Sequence, residues 1–357
     1  MTLAAGAPPA TDNSHGTRFA RSRVPCAEVA RSLGIDLSTS PVAHIDEQSF
    51  LNVVQNIRDR VRDTAMVPFA WDDPSYWLVD ASAEDRSQYF AIGVAINFRF
   101  WRLAAGRVVP ARGTVGGLPL TGAMYMWRCL RRATEESIPV LDASFLAQLT
   151  LPAYNKIFAD DAGRNPTGIA CHDRIANLRN LGAELTTHWS GQFWNVVTQS
   201  EGCLSKFCLL SRQFRAFDDP LYKLTMLNAI LHSGSGLTEF DADPIPAVDY
   251  HLVKQMLRHG VVVPIPQLRA KLVQRRYLTR HEASELRRVT LIAFLNLADS
   301  TNVPGHILDN LWWTNRRNCL DDEPVCTSAA TAAQCPFLGA CKRLTETGMP
   351  LERTRYY

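Results

Sequence analysis

PIPAVDYHLVKQMLRHG (residues 244–260) sets an acidic residue, Asp249, at the head of an amphipathic helix. Val253, Met256 and Leu257 recur at helical spacing, and Lys254, Arg258 and His259 add positive charge towards the far end. At that position a carboxylate meets unpaired backbone N–H groups and the positive end of the helix dipole, so it is expected to be held ionised. Two readings fit. Asp249 is an N-cap that only stabilises the helix, or it is a carboxylate that activates water and offsets positive charge growing on a sugar ring, as N-glycosidic bond cleavage requires.

The chain around this segment has 357 residues, 46% of them hydrophobic, enough for a large helical core. With 38 basic against 35 acidic side chains the net charge is +3, which makes no demand for nucleic acid as a partner. No apolar run is long enough to span a bilayer. Residues 1–40 read as a small-residue, Pro-rich disordered arm. Arg18, Arg21 and Arg23 there fit a transit peptide, but no hydrophobic segment follows, so secretion is not expected; with the cysteine distribution, a cytoplasmic protein is.

Helical periodicity dominates from residue 41 to residue 318. Helices are expected at 45–62, 122–136, 174–185, 193–198, 203–214, 220–231, 249–259, 267–274, 280–297 and 304–316. Tyr89–Trp101, YFAIGVAINFRFW, is instead rich in aromatic and branched residues and is followed by Val108 and Val109 between glycines. It reads as a small β-hairpin or ribbon over about 89–117. The fold class is therefore mainly α, with a small inserted β element, followed by a cysteine loop at 319–341 and a C-terminal tail at 342–357 that packs on the domain.

Strand alternation over Asn97–Trp101 sends Phe98 and Phe100 to one face, and Asn97, Arg99 and Trp101 to the other. An aromatic face beside an amide suits a stacked base with one edge read by hydrogen bonds. A core strand with one buried face fits the pattern equally well. Lys223 lies in DPLYKLTMLNAIL beside an apolar stripe of Leu221, Leu224, Leu227 and Ile230. A lysine there is either desolvated and matched to a phosphate or carboxylate, or a solvated helix lysine.

Two resemblances follow from these residues. VDYHL resembles the V-D-x-H segment of the helix-hairpin-helix DNA glycosylases, in which the aspartate is catalytic and an upstream lysine serves in bifunctional members. The Gly-rich phosphate-gripping hairpin of those enzymes has no match in HSGSGLTEFDADPIPA, which carries Glu239, Asp241 and Asp243 and is a poor DNA clamp. The wider chain is similar to the queuosine salvage family. NFRFW resembles its N-F-S-F-W segment, and Ile138-Pro139 with Ala143-Ser144-Phe145 its G-I-P…A-S-Y stretch. Gly191, Phe193 and Asn195, then Tyr222-Lys223, Asp249-Tyr250, Glu285 and Arg287, and Asp309 and Trp312 follow in order to the Arg353–Tyr357 end. The family's G-Y-W is Gly122-Ala123-Met124 here.

That resemblance implies a helix-hairpin-helix-glycosylase-like fold and an N-glycosidase releasing a 7-deazaguanine base from a nucleotide such as queuosine 5′-monophosphate, with no cofactor needed for hydrolysis. It implies that Asp249 is the catalytic carboxylate and that Lys223 stands near the phosphate or sugar. Phe98, Phe100 and Trp101 would form the base pocket with Asn97 as polar reader, and Tyr250, His251 and His44 would lie beside the substrate. The alternatives are an iron–sulfur DNA glycosylase of base excision repair, for which duplex DNA would be the partner, and a non-catalytic modified-nucleoside-binding protein.

Nine cysteines are unevenly spread, and Cys319, Cys326, Cys335 and Cys341 cluster late in the chain as C-x6-C-x8-C-x5-C. Four thiolates can hold an iron–sulfur cluster or zinc. The outer spacings resemble the C-x6-C-x2-C-x5-C cluster loop of helix-hairpin-helix glycosylases, and no C-x2-C knuckle of structural zinc is present, so a 4Fe–4S cluster is expected ahead of zinc. The queuosine salvage family does not generally carry this loop.

Overall fold

The computed structural model describes residues 24–63 and 71–357. In chain order the elements begin with α1 (Cys26–Ser32), β1 (Ala43–Ile45), α2 (Glu47–Asp63) and α3 (Ala83–Ala95). Two hairpins follow, β2 (Trp101–Ala104) with β3 (Arg107–Pro110), and β4 (Arg112–Val115) with β5 (Leu118–Thr121). Next come α4 (Ala123–Glu135), α5 (Ala143–Ala147), α6 (Leu151–Ile157), α7 (Cys171–His188), α8 (Trp194–Gln199), α9 (Leu204–Ser211), α10 (Lys223–Gly234) and α11 (Tyr250–His259). The chain continues through β6 (Val262–Pro264), α12 (Pro266–Val273), α13 (Arg280–Thr301) and α14 (Gly305–Asn315). The protein is mainly α with small antiparallel strand pairs, and none of its described helices is long and apolar enough to cross a membrane.

Every helix expected from periodicity is present, with ends shifted by a few residues. The β ribbon expected from Tyr89 is not where the sequence pattern puts it. Tyr89–Ala95 completes α3, and the strands begin only at Trp101. Ser82 caps α3 by accepting the Asp85 N–H at 3.1 Å, and Glu84 and Asp85 occupy its first turn. From Ser87 to Ala95 the helix is buried on every side. A helix without a solvent face has no apolar–polar period, which is why its sequence imitates a strand. The true hairpins turn on Ala105-Gly106 and Gly116-Gly117. All four have positive φ, as two-residue turns between twisted strands require.

The arm expected over residues 1–40 is structured from residue 24; residues 1–23 lie outside the described residues. α1 is fastened to α13 by Asp299, whose carboxylate accepts the N–H groups of Cys26 (2.8 Å) and Ala27 (3.3 Å). β1 pairs antiparallel with β6, with His44 opposite Val263, and so ties the N-terminal segment to the strand that leaves α11.

One buried cation organises the turn out of α3. Arg174, on α7 and fully buried, donates to the carbonyls of Ile96 (3.1 Å), Thr167 (2.9 Å), Arg99 (3.3 Å), Phe98 and Ile169. Its guanidinium also lies 4.8 Å from the ring centroids of both Phe98 and Phe100. No carboxylate pairs with it among the described residues, so its charge is met by peptide dipoles and aromatic faces. Arg174→Met is expected to leave these carbonyls unpaired and to cost about 3 kcal/mol or more. The urea midpoint should fall by that free energy divided by the slope, with the slope unchanged; a loss of only a few tenths of a kcal/mol would remove Arg174 from this role.

Candidate active site

The N-termini of α10 and α11 both reach a cavity that opens to solvent. Lys223 is the first residue of α10. The preceding Tyr222 takes a left-handed conformation (φ 57°), and Asp219 accepts the N–H groups of Leu221 (3.0 Å) and Lys223 (2.6 Å), which closes the orphan donors of the first turn. Asp219 is itself held by the Tyr357 hydroxyl, which donates to it at 2.5 Å. The Lys223 side chain is buried, and its ammonium donates to the Asn97 carbonyl at 2.6 Å. Burial lowers its pKa to about 8, against the upward pull of Asp249, Asp219 and Asp309.

Asp249 is both an N-cap and a cavity wall. Its Oδ1 accepts the N–H groups of His251 (2.7 Å) and Leu252 (3.1 Å), while Oδ2 takes no hydrogen bond from a described residue. The helix head alone would hold this carboxyl low. Burial outweighs it and pushes the pKa up, against the Lys223 charge and the two N–H bonds. The carboxylate is therefore more basic than the sequence suggests.

A second carboxyl faces the same space. Asp309, on α14, accepts the Ala247 N–H at 2.8 Å and is raised to about 7, first by burial and then by the negative charge of Asp249. Two carboxyls whose environments differ can divide the roles of base and acid between them.

The rest of the wall is aromatic. Trp71, Trp77, Trp127 and Trp313 line the cavity with Met124 and Asn97. Trp77 stands 4.8 Å from Trp127 and 5.2 Å from Trp71, centroid to centroid. Arg316, lowered to about 10 by burial, covers Trp313 at 3.3 Å. Met124 occupies the site where the related pattern has an aromatic residue, and Trp127, one turn further along α4, supplies a ring. Trp127 packs directly on the α3 backbone: a Cβ on Gly93 would lie 1.9 Å from its ring, so only glycine fits.

Of the residues singled out in the sequence, Asp249, Lys223 and Asn97 share this cavity. Phe98 and Phe100 do not; they are buried under Arg174. Alternation misplaced them because residues 97–100 are a turn out of α3, not a strand. Trp101 and Tyr250 pack on Met349 and Leu351 in a separate small cluster, and the His251 ring lies against Tyr250. None of the three lines the cavity. His44 sits exposed in β1, away from it. Cys319, Cys326, Cys335 and Cys341 line a different cavity, at the other end of α11. The cavity residues that sequence reasoning did not assign include Asp309, Trp77 and Trp127.

A mainly α protein with two buried carboxyls, one buried ammonium and an aromatic box defines a site for a flat ring joined to a polar group. The chain belongs to the queuosine salvage protein family, whose sequence pattern matches residues 79–302. It is 25% identical over 303 residues to the queuosine 5′-phosphate N-glycosylase/hydrolase of Sphaerobacter thermophilus, covering 79% of this chain and 90% of that protein. It is 28% identical over 126 residues to the Mus musculus protein of the same name, covering 35% of this chain and 36% of the mouse protein.

The site also predicts how stability depends on pH. With a folded pKa of about 7 against 3.8 for a free side chain, Asp309 keeps in the folded state a proton that the unfolded chain releases. Stability therefore falls as pH rises from about 4 to about 7, and Asp249 acts in the same direction. Lys223, lowered from 10.5 to about 8, sheds its proton first in the folded state, so stability recovers as pH rises from about 8 to about 10.5. Asp309→Asn keeps an acceptor for Ala247 and should flatten the fall on the acid side. Urea midpoints measured across this range check it; an unaltered fall in the variant would assign the proton to another group.

Proposed function

We propose that this chain hydrolyses the N-glycosidic bond of queuosine 5′-monophosphate, or of a closely related 7-deazaguanine nucleotide, to free base and sugar phosphate. The observation that carries this reading is the Asp249 carboxylate, fixed through one oxygen with the other unbonded among the described residues, in an aromatic cavity that it shares with Lys223 and Asp309. Both named relatives carry that activity in their names.

In this mechanism the base lies among the tryptophans and C1′ of the sugar stands near Asp249. The C1′–N9 bond breaks with its electron pair going to the base, and positive charge grows on C1′ and the ring oxygen. A 7-deazaguanine has no N7 to protonate, so departure depends on a proton given to another ring nitrogen and on strong stabilisation of the sugar cation. Asp309, half-protonated near neutral pH, is the proton donor. Asp249 offsets the sugar charge and takes a proton from the water whose oxygen bonds to C1′. Lys223, anchored on the Asn97 carbonyl, directs its remaining N–H groups to the phosphate or a sugar hydroxyl. The residues need no cofactor for these steps. Net charge near zero and the acidic segment around Glu239, Asp241 and Asp243 argue for a free nucleotide over duplex DNA. We read the helical frame as helix-hairpin-helix-like and the protein as cytoplasmic.

Asp249→Asn preserves an acceptor for the helix head, so the fold should persist while base release falls by at least about a thousandfold. Mass spectrometry of free base from queuosine 5′-monophosphate, with circular dichroism of the variant, decides this. Turnover within about threefold of the parent would rule out the assignment. With Asp309 as acid, kcat/KM should fall as pH rises above about 7, and Asp309→Asn should be slower and lack that limb.

A further inference from the structure

The four late cysteines are separated by as many as eight intervening residues, yet they line one cavity against the C-terminal end of α11. Cys319 follows α14, Cys326 lies in a single 3-10 turn (Val325–Thr327), Cys335 follows another (Ala332–Gln334), and Cys341 reaches back to α11. Hydrogen bonds fix this loop. The Asn318 amide donates to the Gln334 carbonyl at 3.0 Å, the Val325 N–H to the Asn318 carbonyl at 2.9 Å, and Arg60 on α2 to the Pro336 carbonyl at 2.7 Å. Phe337 is buried, 4.2 Å from the Trp312 ring and 4.9 Å from His259. The loop is thus docked on the protein by its own core residue.

We propose that this cavity holds a cubane 4Fe–4S cluster, ligated by Cys319, Cys326, Cys335 and Cys341. Three features besides the thiols point there. Arg258 is 1% exposed and has no carboxylate partner among the described residues; it donates to the carbonyls of Thr347, Asp321 and Leu320 and to the Cys319 sulfur at 3.4 Å. A buried cation aimed at a thiol group fits a site whose ligand is an anion. Four thiolates around a cluster core of charge about +2 leave a net charge of about −2, for which Arg258 is the counter-charge. His259 lines the same cavity at 2% exposure, and its Nδ1 has no hydrogen-bond partner among the described residues. The Arg343 N–H already points at the Cys341 sulfur at 3.3 Å, as backbone donors do at cluster thiolates.

The four thiols line one cavity without converging on a single ion. Tetrahedral zinc with Zn–S of about 2.3 Å needs its sulfurs about 3.8 Å apart. Among the described residues no three His, Cys, Asp or Glu side chains are arranged to share one ion. A cubane bound at four corners holds its thiolates further apart, at about 6 Å. On assembly each thiol loses its proton to solvent as its sulfur bonds to one iron. Two ferrous ions, two ferric ions and four sulfides supply the core at the 2+ state with no further oxidant. The loop lies beyond the family-matched residues 79–302. Its role is to clamp α11, the helix whose other end carries Asp249.

The test is metal and sulfide content of the full-length protein purified without oxygen. About four iron and about four acid-labile sulfide per chain are expected, with broad visible absorption that bleaches on dithionite and an electron paramagnetic resonance signal in the reduced form. Cys335→Ser should lose the iron, and Cys203→Ser, outside the loop, should keep it. If Cys335→Ser is insoluble, the content of the parent protein decides. Stoichiometric zinc without iron overturns the proposal. So does a colourless protein that gains no cluster when reconstituted with ferrous and ferric iron and sulfide. Hydrolysis of the nucleotide is scored separately, so either proposal can fail without the other.

Discussion

A buried ammonium surrounded at a distance by three carboxyls sets the terms for this structure. Lys223 makes no ion pair at contact distance among the described residues; its partner is the Asn97 carbonyl, and Asp249, Asp219 and Asp309 act on it through space. Each of these groups costs several kcal/mol to take out of water. The cost is tolerated because each is fixed by a backbone group: Asp249 by the head of α11, Asp219 by the head of α10, Asp309 by the Ala247 amide. The charges are left uncompensated just enough to hold shifted proton affinities, which is how a site acquires both a base and an acid.

The scaffold serves this arrangement from behind. α3 ends at Ala95, and the following turn must put the Asn97 carbonyl above Lys223. Arg174 holds that turn by gathering the carbonyls on either side of Asn97, and Asn177, also on α7, donates to Ala95 at 2.9 Å. On the opposite wall, the missing side chain at Gly93 lets the Trp127 ring lie flat on α3. Both walls of the cavity are thus referred to one helix.

Much of this was legible in the sequence. Asp249 stood out because a carboxylate at the head of an amphipathic helix has a recognisable pattern, and Lys223 because a lysine beside an apolar stripe does too. The surface helices announced themselves by their period. α3 was misread because a helix buried all round has no period, and its branched and aromatic residues look like a strand. Phe98 and Phe100 were placed in the pocket by an alternation that the chain does not follow there; nothing local reveals that Arg174, some 75 residues later in the chain, covers them. Asp309 carried a signal that was not weighed. Gly305, Leu308, Asp309 and Trp312 form one buried face of α14, and an acid on such a face needs a reason to be there. Trp77 and Trp127 carried none, since which rings face a cavity depends on packing between remote helices.

The aromatic box has one more property. Four of the eight tryptophans in the chain line a single cavity. Excitation of the protein therefore falls heavily on rings in van der Waals reach of whatever enters. A flat heterocycle stacked among them accepts or quenches that emission, and its departure restores it. The molecule carries an unlabelled optical reporter of its own occupancy, in which filling and emptying are visible as changes in emitted light, turnover by turnover.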